Sequence, residues 1–166
     1  NIKSYRIRFS RNIKGYPFSM LISRRERADV ERIILEVLSS LPGTYYSLEK
    51  LLKQPDLITV PDAIHKERRV DELQGNLRHW PLNRGCFIHK ENNSEMDFFI
   101  KINDNDHLTV IGYDHTGKNL IKLYTKITKI MMHIDERLLE RFAIIHQYGF
   151  LTSNPVDVGT GMRISC

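Results

Sequence analysis

Residues Gly85–Tyr113 read GCFIHKENNSEMDFFIKINDNDHLTVIGY. Three β-rich runs, Gly85–Lys90, Met96–Ile102 and His107–Tyr113, are separated by Glu91-Asn92-Asn93-Ser94 and by Asn103-Asp104-Asn105-Asp106. Asn and Asp side chains bond their own backbone and tolerate left-handed conformations, so such clusters make turns. The stretch therefore predicts a three-strand meander. Asp114–Gly117 is a further turn. After it, Leu120, Leu123, Tyr124, Ile127, Ile130, Met131 and Ile134 recur at helical spacing and predict an amphipathic helix.

Working outward, residues 3–10 alternate, with Tyr5, Ile7 and Phe9 on one face and Arg6, Arg8 and Ser10 on the other. This predicts a half-buried strand with two arginines on a single face. Gly15-Tyr16-Pro17-Phe18 is a turn or loop. Ser23 stands three residues before Glu26, a capping-box spacing, and Ala28, Val30, Ile33, Ile34, Val37, Leu38 and Leu41 follow. A helix is predicted from about Arg24 to Leu41, stopped by Pro42-Gly43. Ser47–Leu52 adds one short turn of helix. Residues 53–83, with Pro55, Pro61 and Pro81, read as irregular, and long connections of this kind are often functional. Within them, Lys66-Glu67-Arg68-Arg69 reads as a solvated charged face. Gly149–Ser153 and Met162–Ser165 read as strands around a Gly-rich loop. The layout is α+β: a mostly antiparallel sheet with helices on one side.

The chain has 166 residues, enough for one domain, and 41% of them are hydrophobic, which excludes a disordered chain. No apolar run approaches the ~18–20 residues of a membrane-spanning helix. Two cysteines make no disulfide framework, so a reducing compartment is expected. The formal charge is +5, with 14 Arg against 11 Lys. Arginine is the better fork for phosphate and carboxylate, which suggests anionic ligands. The chain starts at Asn1 without Met and ends at Cys166 just after a predicted strand, so it reads as a piece of a longer product or a processed one.

The seven histidines are scattered and none pairs with Cys, His or Glu at a metal-ligand spacing. There is no G-x-S-x-G elbow, no Walker A loop and no G-x-G-x-x-G, and Cys86 reads as a packed core thiol. Arg6, Arg8 and Arg163 are more informative. If their strands were neighbours, three guanidinium forks would converge on a surface suited to polyphosphate. The alternative is that they pair with surface carboxylates.

The order of motifs resembles the catalytic domain of the phosphagen kinases, the ATP:guanidino phosphotransferases. The resemblance is carried by Tyr5–Arg8 with Arg11–Phe18, by Gly43–Leu48, and by Arg78-His79-Trp80-Pro81 with Arg84–Phe87. Asn103–Leu108 is similar to the family's Asn-Glu-Glu-Asp-His-Leu-Arg segment, and Gly149–Pro155 with Gly159–Arg163 to its nucleotide-site loop. The resemblance implies the family's large domain, an antiparallel sheet flanked by helices of the glutamine-synthetase-like kind. It also implies reversible transfer of the ATP γ-phosphoryl to a guanidine nitrogen, with Mg·ATP or Mg·ADP as the ligand. Arg6, Arg8 and Arg163 match the family's phosphate-binding arginines, and His107 matches with them as a nucleotide-site residue.

Three matched positions depart. The family's catalytic glutamate falls on Asn105, its phosphate-binding arginine after His-Leu falls on Thr109, and its reactive cysteine falls on Asn154. A neutral amide cannot attract a guanidinium or raise its nucleophilicity as a carboxylate does. The family's small helical domain and the segment holding its second catalytic glutamate have no counterpart in the sequence, which reads as one partial catalytic-domain unit. These departures lead to an expectation: a degenerate domain without phosphotransfer, acting as a structural or interaction module whose open sheet edges and apolar face are covered by protein partners. The alternatives are a fragment of a working guanidino kinase and a non-catalytic nucleotide-binding regulator. Neither nucleic acid nor membrane is an expected partner. Cytoplasm, or a cytoskeletal or flagellar structure, is the expected location.

Overall fold

A computed structural model of the chain describes residues 2–54, 82–90 and 96–166. The irregular segment read over 53–83, its charged cluster Lys66–Arg69, the Arg78–Pro81 motif and the turn Glu91–Ser94 lie wholly or mostly outside the described residues.

The alternation at the start of the chain forms strand β1 (Tyr5–Arg11). Helix α1 (Arg24–Leu38) begins at a complete capping box, in which the Ser23 hydroxyl accepts from the Glu26 amide and the Glu26 carboxylate accepts from the Ser23 amide. The helix stops three residues earlier than the predicted Leu41. The hydroxyls of Ser39 and Ser40 donate to the carbonyls of Glu36 and Val37, each at 2.7 Å, taking acceptors that a further turn of helix would need. Strand β2 (Gly43–Ser47) follows, an element not read from the sequence, and then helix α2 (Leu48–Lys53), capped by Ser47. The meander is present as read, with β3 (Gly85–His89), β4 (Met96–Ile102) and β5 (Leu108–Asp114). Helix α3 runs Leu120–Leu138. The predicted strand at 149–153 shrinks to β7 (Gly149–Phe150), paired with β6 (Ile144–Ile145). Beyond it the chain is held by single backbone bonds, such as Leu151 N–H to the Ala143 carbonyl at 2.9 Å. Strand β8 (Met162–Ser165) is as read.

Among the described residues, six strands form one antiparallel sheet in the order β2-β3-β4-β5-β1-β8. β1 lies between β5, with Tyr5 opposite Asp114 and Arg11 opposite Leu108, and β8, with Arg8 opposite Arg163. Successive side chains alternate between faces. One face, carrying Ile7, Phe87, Phe98, Ile100 and Val110, packs on α1 through Val30 and Ile34 and on α3 through Leu123, Ile127 and Ile134, in one buried cluster. The two long helices α1 and α3 therefore share one side of the sheet.

The second face holds the complementary set: Arg6, Arg8, Lys101, Thr109 and Arg163. It is not the uncovered apolar face expected from the sequence. Its large apolar side chains Phe99 and Ile111 are each 1% exposed, and Phe99 stacks on Tyr113 at 5.8 Å. Cys86 also belongs to this face by register, and it is half-buried rather than a core thiol. Among the described residues β2 and β8 are the outer strands of the sheet.

Candidate functional site: a cleft over the second face of the sheet

The turn that joins β4 to β5 is built on Asn103, which is fully buried and takes a left-handed φ of 56°. Asn is among the few side chains that tolerate this region. Its Nδ2 donates to the carbonyls of Arg27 and Asn83 at 3.0 and 2.8 Å, and its amide donates to the His107 carbonyl at 2.9 Å. Beneath the turn, the Arg84 guanidinium donates to the carbonyls of Asn103 and Asp104. Burial, and then the neighbouring Arg27, push the Arg84 guanidinium down to about 10. The turn is thus fixed from below by buried groups, and Asn105 stands at its outer side.

Asp106 and His107 close the turn from the other end. One Asp106 oxygen accepts from Asn12 Nδ2 and from the Ser153 amide, both at 2.7 Å. Asn12 Oδ1 in turn accepts from the His107 amide at 2.9 Å. The His107 Nδ1 accepts from the Ile13 amide at 2.9 Å, and its Nε2 lies 2.9 Å from the Pro17 carbonyl. A carbonyl only accepts, so the proton sits on Nε2 and the ring is neutral. His107 is fully buried with both nitrogens engaged. It ties the turn to the loop after β1 and does not line the cleft described below.

Burial lowers the His107 imidazole below its ordinary 6.5, against the opposing Pro17 carbonyl and Asp106. As pH falls through about 6.5, the unfolded chain takes the proton before the folded one, so stability is lost from there downward and is unaffected above. His107→Asn, which keeps an acceptor but does not titrate, is expected to flatten the fall in denaturant midpoint between pH 7.5 and 5.5. An unchanged slope would show that other groups set it. His133, lowered by burial and by Arg137, contributes equally in both proteins.

Above the sheet these elements enclose a cleft of about 420 Å³. Its floor includes Arg8, Lys101, Thr109 and Arg163, and its rim includes Asn105 and Asn154. Arg8 Nη2 bonds Asp157 Oδ2 at 2.6 Å, and Lys101 Nζ lies 3.2 Å from Asp104 Oδ2. Arg163 is exposed. Asn154 caps the short 3-10 turn Pro155–Asp157, its Oδ1 accepting from the Val156 amide at 3.2 Å. Thr109 is 5% exposed and carries no charge to the cleft.

Of the residues singled out from the sequence, the structure brings Arg8, Arg163, Asn105, Thr109 and Asn154 to one cleft. Arg6 shares the face but not the cleft. It lies two residues along β1 from Arg8, ~7 Å away, with its guanidinium over the Tyr113 ring at 6.0 Å. Sequence reasoning missed Asp157, Lys101, Arg84 and Asn12. Lys101 was legible in principle, since it shares the parity of Thr109 in the paired strand. The others depend on contacts between segments about 20–150 residues apart.

Comparison with known proteins agrees with this fold. The family described as ATP:guanido phosphotransferase, C-terminal catalytic domain, matches residues 28–166. An arginine kinase of Anthopleura japonica is 33% identical over 99% of this chain and 23% of its own length. A lombricine kinase of Eisenia fetida is 30% identical over 99% of this chain and 46% of its own. Among solved structures, the taurocyamine kinase of Schistosoma mansoni with bound transition-state-analogue components superposes with a TM-score of 0.73 and 28% identity, over 99% of this chain and 23% of that one. The chain thus spans less than half the length of these relatives.

Proposed function

Because the chain belongs to the ATP:guanido phosphotransferase family, within its C-terminal catalytic domain, we propose that it is a degenerate form of that domain, without phosphotransfer, acting as a structural and interaction module in a larger assembly. The observation that carries this reading is the turn Asn103–Asp106. Its outer residue, Asn105, offers a neutral amide where the reaction needs a carboxylate to hold and orient a guanidinium. Neither neighbour supplies the missing group. Asp104 is paired with Lys101, and Asp106 is 4% exposed and held by Asn12 and Ser153. Turning either carboxylate toward a substrate would strip a buried or paired acceptor of its donors.

The second departure is electrostatic. Phosphoryl transfer depends on positioning and on neutralising spread negative charge. Thr109 puts a hydroxyl where a guanidinium would stand, and losing one such contact costs roughly 10²–10³ in rate. Absence of the carboxylate adds a loss on the order of 10²–10⁴, although losses within one site do not simply multiply. On this reading the fold is kept for its surfaces. Protein partners cover the outer strands β2 and β8, and the location is cytoplasmic or a cytoskeletal or flagellar structure. A nucleotide-binding role without chemistry is the second reading. It is favoured by Arg163, an exposed guanidinium at the cleft with no ion pair to a described carboxylate.

The test is a coupled assay with Mg·ATP and arginine, lombricine or taurocyamine, run on this chain and on any longer product that contains it. No turnover above a mock preparation is expected from either. Phosphotransfer by the unmodified protein overturns the reading. Appearance of activity in the longer product on combining Asn105→Glu with Thr109→Arg would localise the loss to these two positions.

A further inference from the structure

We propose that Asp157 is a built-in counterion that occupies the Arg8 fork and sets the affinity of the cleft for polyphosphate. The inference rests on reading the cleft as an anion site. In the sheet, Arg8 and Arg163 are directly opposite each other on β1 and β8. Like charges in that position repel, because directly opposed side chains are ~5 Å apart at Cβ. Such a pair calls for an anion. The chain supplies its own: the 3-10 turn Pro155–Asp157 folds back over β1, and Asp157 Oδ2 receives the Arg8 Nη2 hydrogen at 2.6 Å. That distance is short even for a charge-assisted bond.

Burial makes the arrangement more than a surface ion pair. The Asp157 side chain is 3% exposed, while that of Arg8 is 26% exposed. A phosphate oxygen that took Arg8 would leave the Asp157 carboxylate buried and without its cation, and it would bring a second anion against it. Both effects oppose binding. The cleft otherwise has the features of a phosphate site, with Arg163 exposed at its floor and Lys101 beside it. Lys101, however, is itself paired with Asp104 at 3.2 Å, in a less buried contact than that of Arg8 with Asp157. Each of these two cations is therefore neutralised from within the chain, leaving Arg163 as the main attraction for an anion.

Asp157 is thus a specificity-determining residue: a short carboxylate held where a ligand's phosphate oxygen would sit. Its turn is fixed independently of the ion pair. Asn154 caps it through the Val156 amide, and the Asp157 amide donates to the Asn154 carbonyl at 3.0 Å. Asp157→Asn is nearly isosteric and keeps those contacts while removing the charge.

The experiment is calorimetric titration of the chain with pyrophosphate, and with Mg·ADP, for the parent, Asp157→Asn, and the double variant Arg8→Ala/Asp157→Asn. Asp157→Asn is expected to bind pyrophosphate roughly 10–100-fold more tightly than the parent, the range of one hydrogen bond to a charged group. The double variant is expected to lose that gain. Equal affinity in parent and Asp157→Asn, or a gain that persists without Arg8, overturns the proposal and makes the pair purely structural. Circular dichroism on the same samples confirms folding. Should Asp157→Asn not fold, Asp157→Ser, which also removes the charge, is titrated in its place with the same expected gain and the same overturning result. Phosphotransfer by the parent overturns the preceding section instead, and that assay is independent of these titrations.

Discussion

Asp114→Ala is expected to destabilise the protein by about 2–4 kcal/mol, the loss of several charge-assisted hydrogen bonds at one buried carboxylate. Asp114 ends β5 and is fully buried. Its Oδ1 accepts from the Thr116 amide and hydroxyl at 3.1 and 2.7 Å, and its Oδ2 accepts from the amides of Lys118 and Asn119 at 3.1 and 2.9 Å. Asn119 makes no side-chain cap of its own at the start of α3. Asp114 therefore fixes the turn that leads into that helix, bonding amides that precede its first turn and placing negative charge near its N-terminus. Burial alone would raise the carboxyl, but its hydrogen bonds with Asn119, Thr116 and Lys118 outweigh that and hold it below its ordinary 3.8. A depressed folded-state pKa means that this stability is fully present above about pH 4 and is lost as pH falls through the folded value. The alanine variant should show a lower denaturant midpoint at pH 7 and a shallower acid limb than the parent. If the two midpoints coincide at pH 7, the four bonds are not the anchor of α3 described here.

Asp114 also illustrates what a single sequence reveals. That Asp114–Gly117 turns is legible, because Asp and Gly have local reasons to turn. That the carboxylate closes the turn on the following helix depends on how β5 delivers α3 to the sheet. The same division runs through the fold. The meander and both long helices were legible because their periodicities of 2 and 3.6 are local. β2 was not, because a five-residue run containing Thr44, Tyr45 and Tyr46 alternates no more clearly than a loop, and only its pairing with β3 makes it a strand. The end of α1 was misplaced because Leu41 continues the apolar spacing, while the serine hydroxyls that end the helix leave no trace in hydrophobic periodicity.

In the candidate site, the alternation of β1 placed Arg6 and Arg8 on one face, and the family pattern placed Asn105, Thr109 and Asn154. The sequence could not separate Arg8 from Arg6, because one pleat repeat decides which guanidinium reaches the cleft. Nor could it show that His107, conspicuous in its motif, is spent on the Ile13 amide and the Pro17 carbonyl. Asp157 was the least legible. It follows a proline in a loop, where an aspartate usually signals only a turn, and its partner Arg8 is 149 residues away. Buried ion pairs between distant segments are the part of a site that local chemistry does not encode.

Gly161→Ala is expected to cost about 3–4 kcal/mol and to lower the melting temperature by roughly 5–15 °C, while Gly15→Ala costs about 1–2 kcal/mol. Both glycines have positive φ, 64° and 84°, so both variants carry the left-handed penalty. They differ in what a Cβ meets. At Gly15 nothing lies within 4 Å, whereas at Gly161 the Ser10 carbonyl oxygen is 2.5 Å away and Arg11 Nη1 is 2.6 Å away. Neither neighbour can yield. Ser10 lies near the end of β1 paired to Thr109, and its amide donates to the Gly161 carbonyl at 2.8 Å. The Arg11 guanidinium is 4% exposed, lies 3.5 Å over the Phe150 ring, donates to the carbonyls of Ser10 and Thr160, and is 3.6 Å from Asp135 on α3. Strain at Gly161 is therefore relieved by lifting the start of β8 from β1, which draws Arg163 out of register with Arg8. Hydrogen exchange should show the loss as faster exchange of the β8 amides, with β4 and β5 still protected, and thermal melts should rank the parent, Gly15→Ala and Gly161→Ala in that order. A Gly161→Ala protein that melts with Gly15→Ala and keeps β8 protected would mean that β8 is not clamped by the Ser10–Arg11 corner, and that the register of the two arginines is set elsewhere.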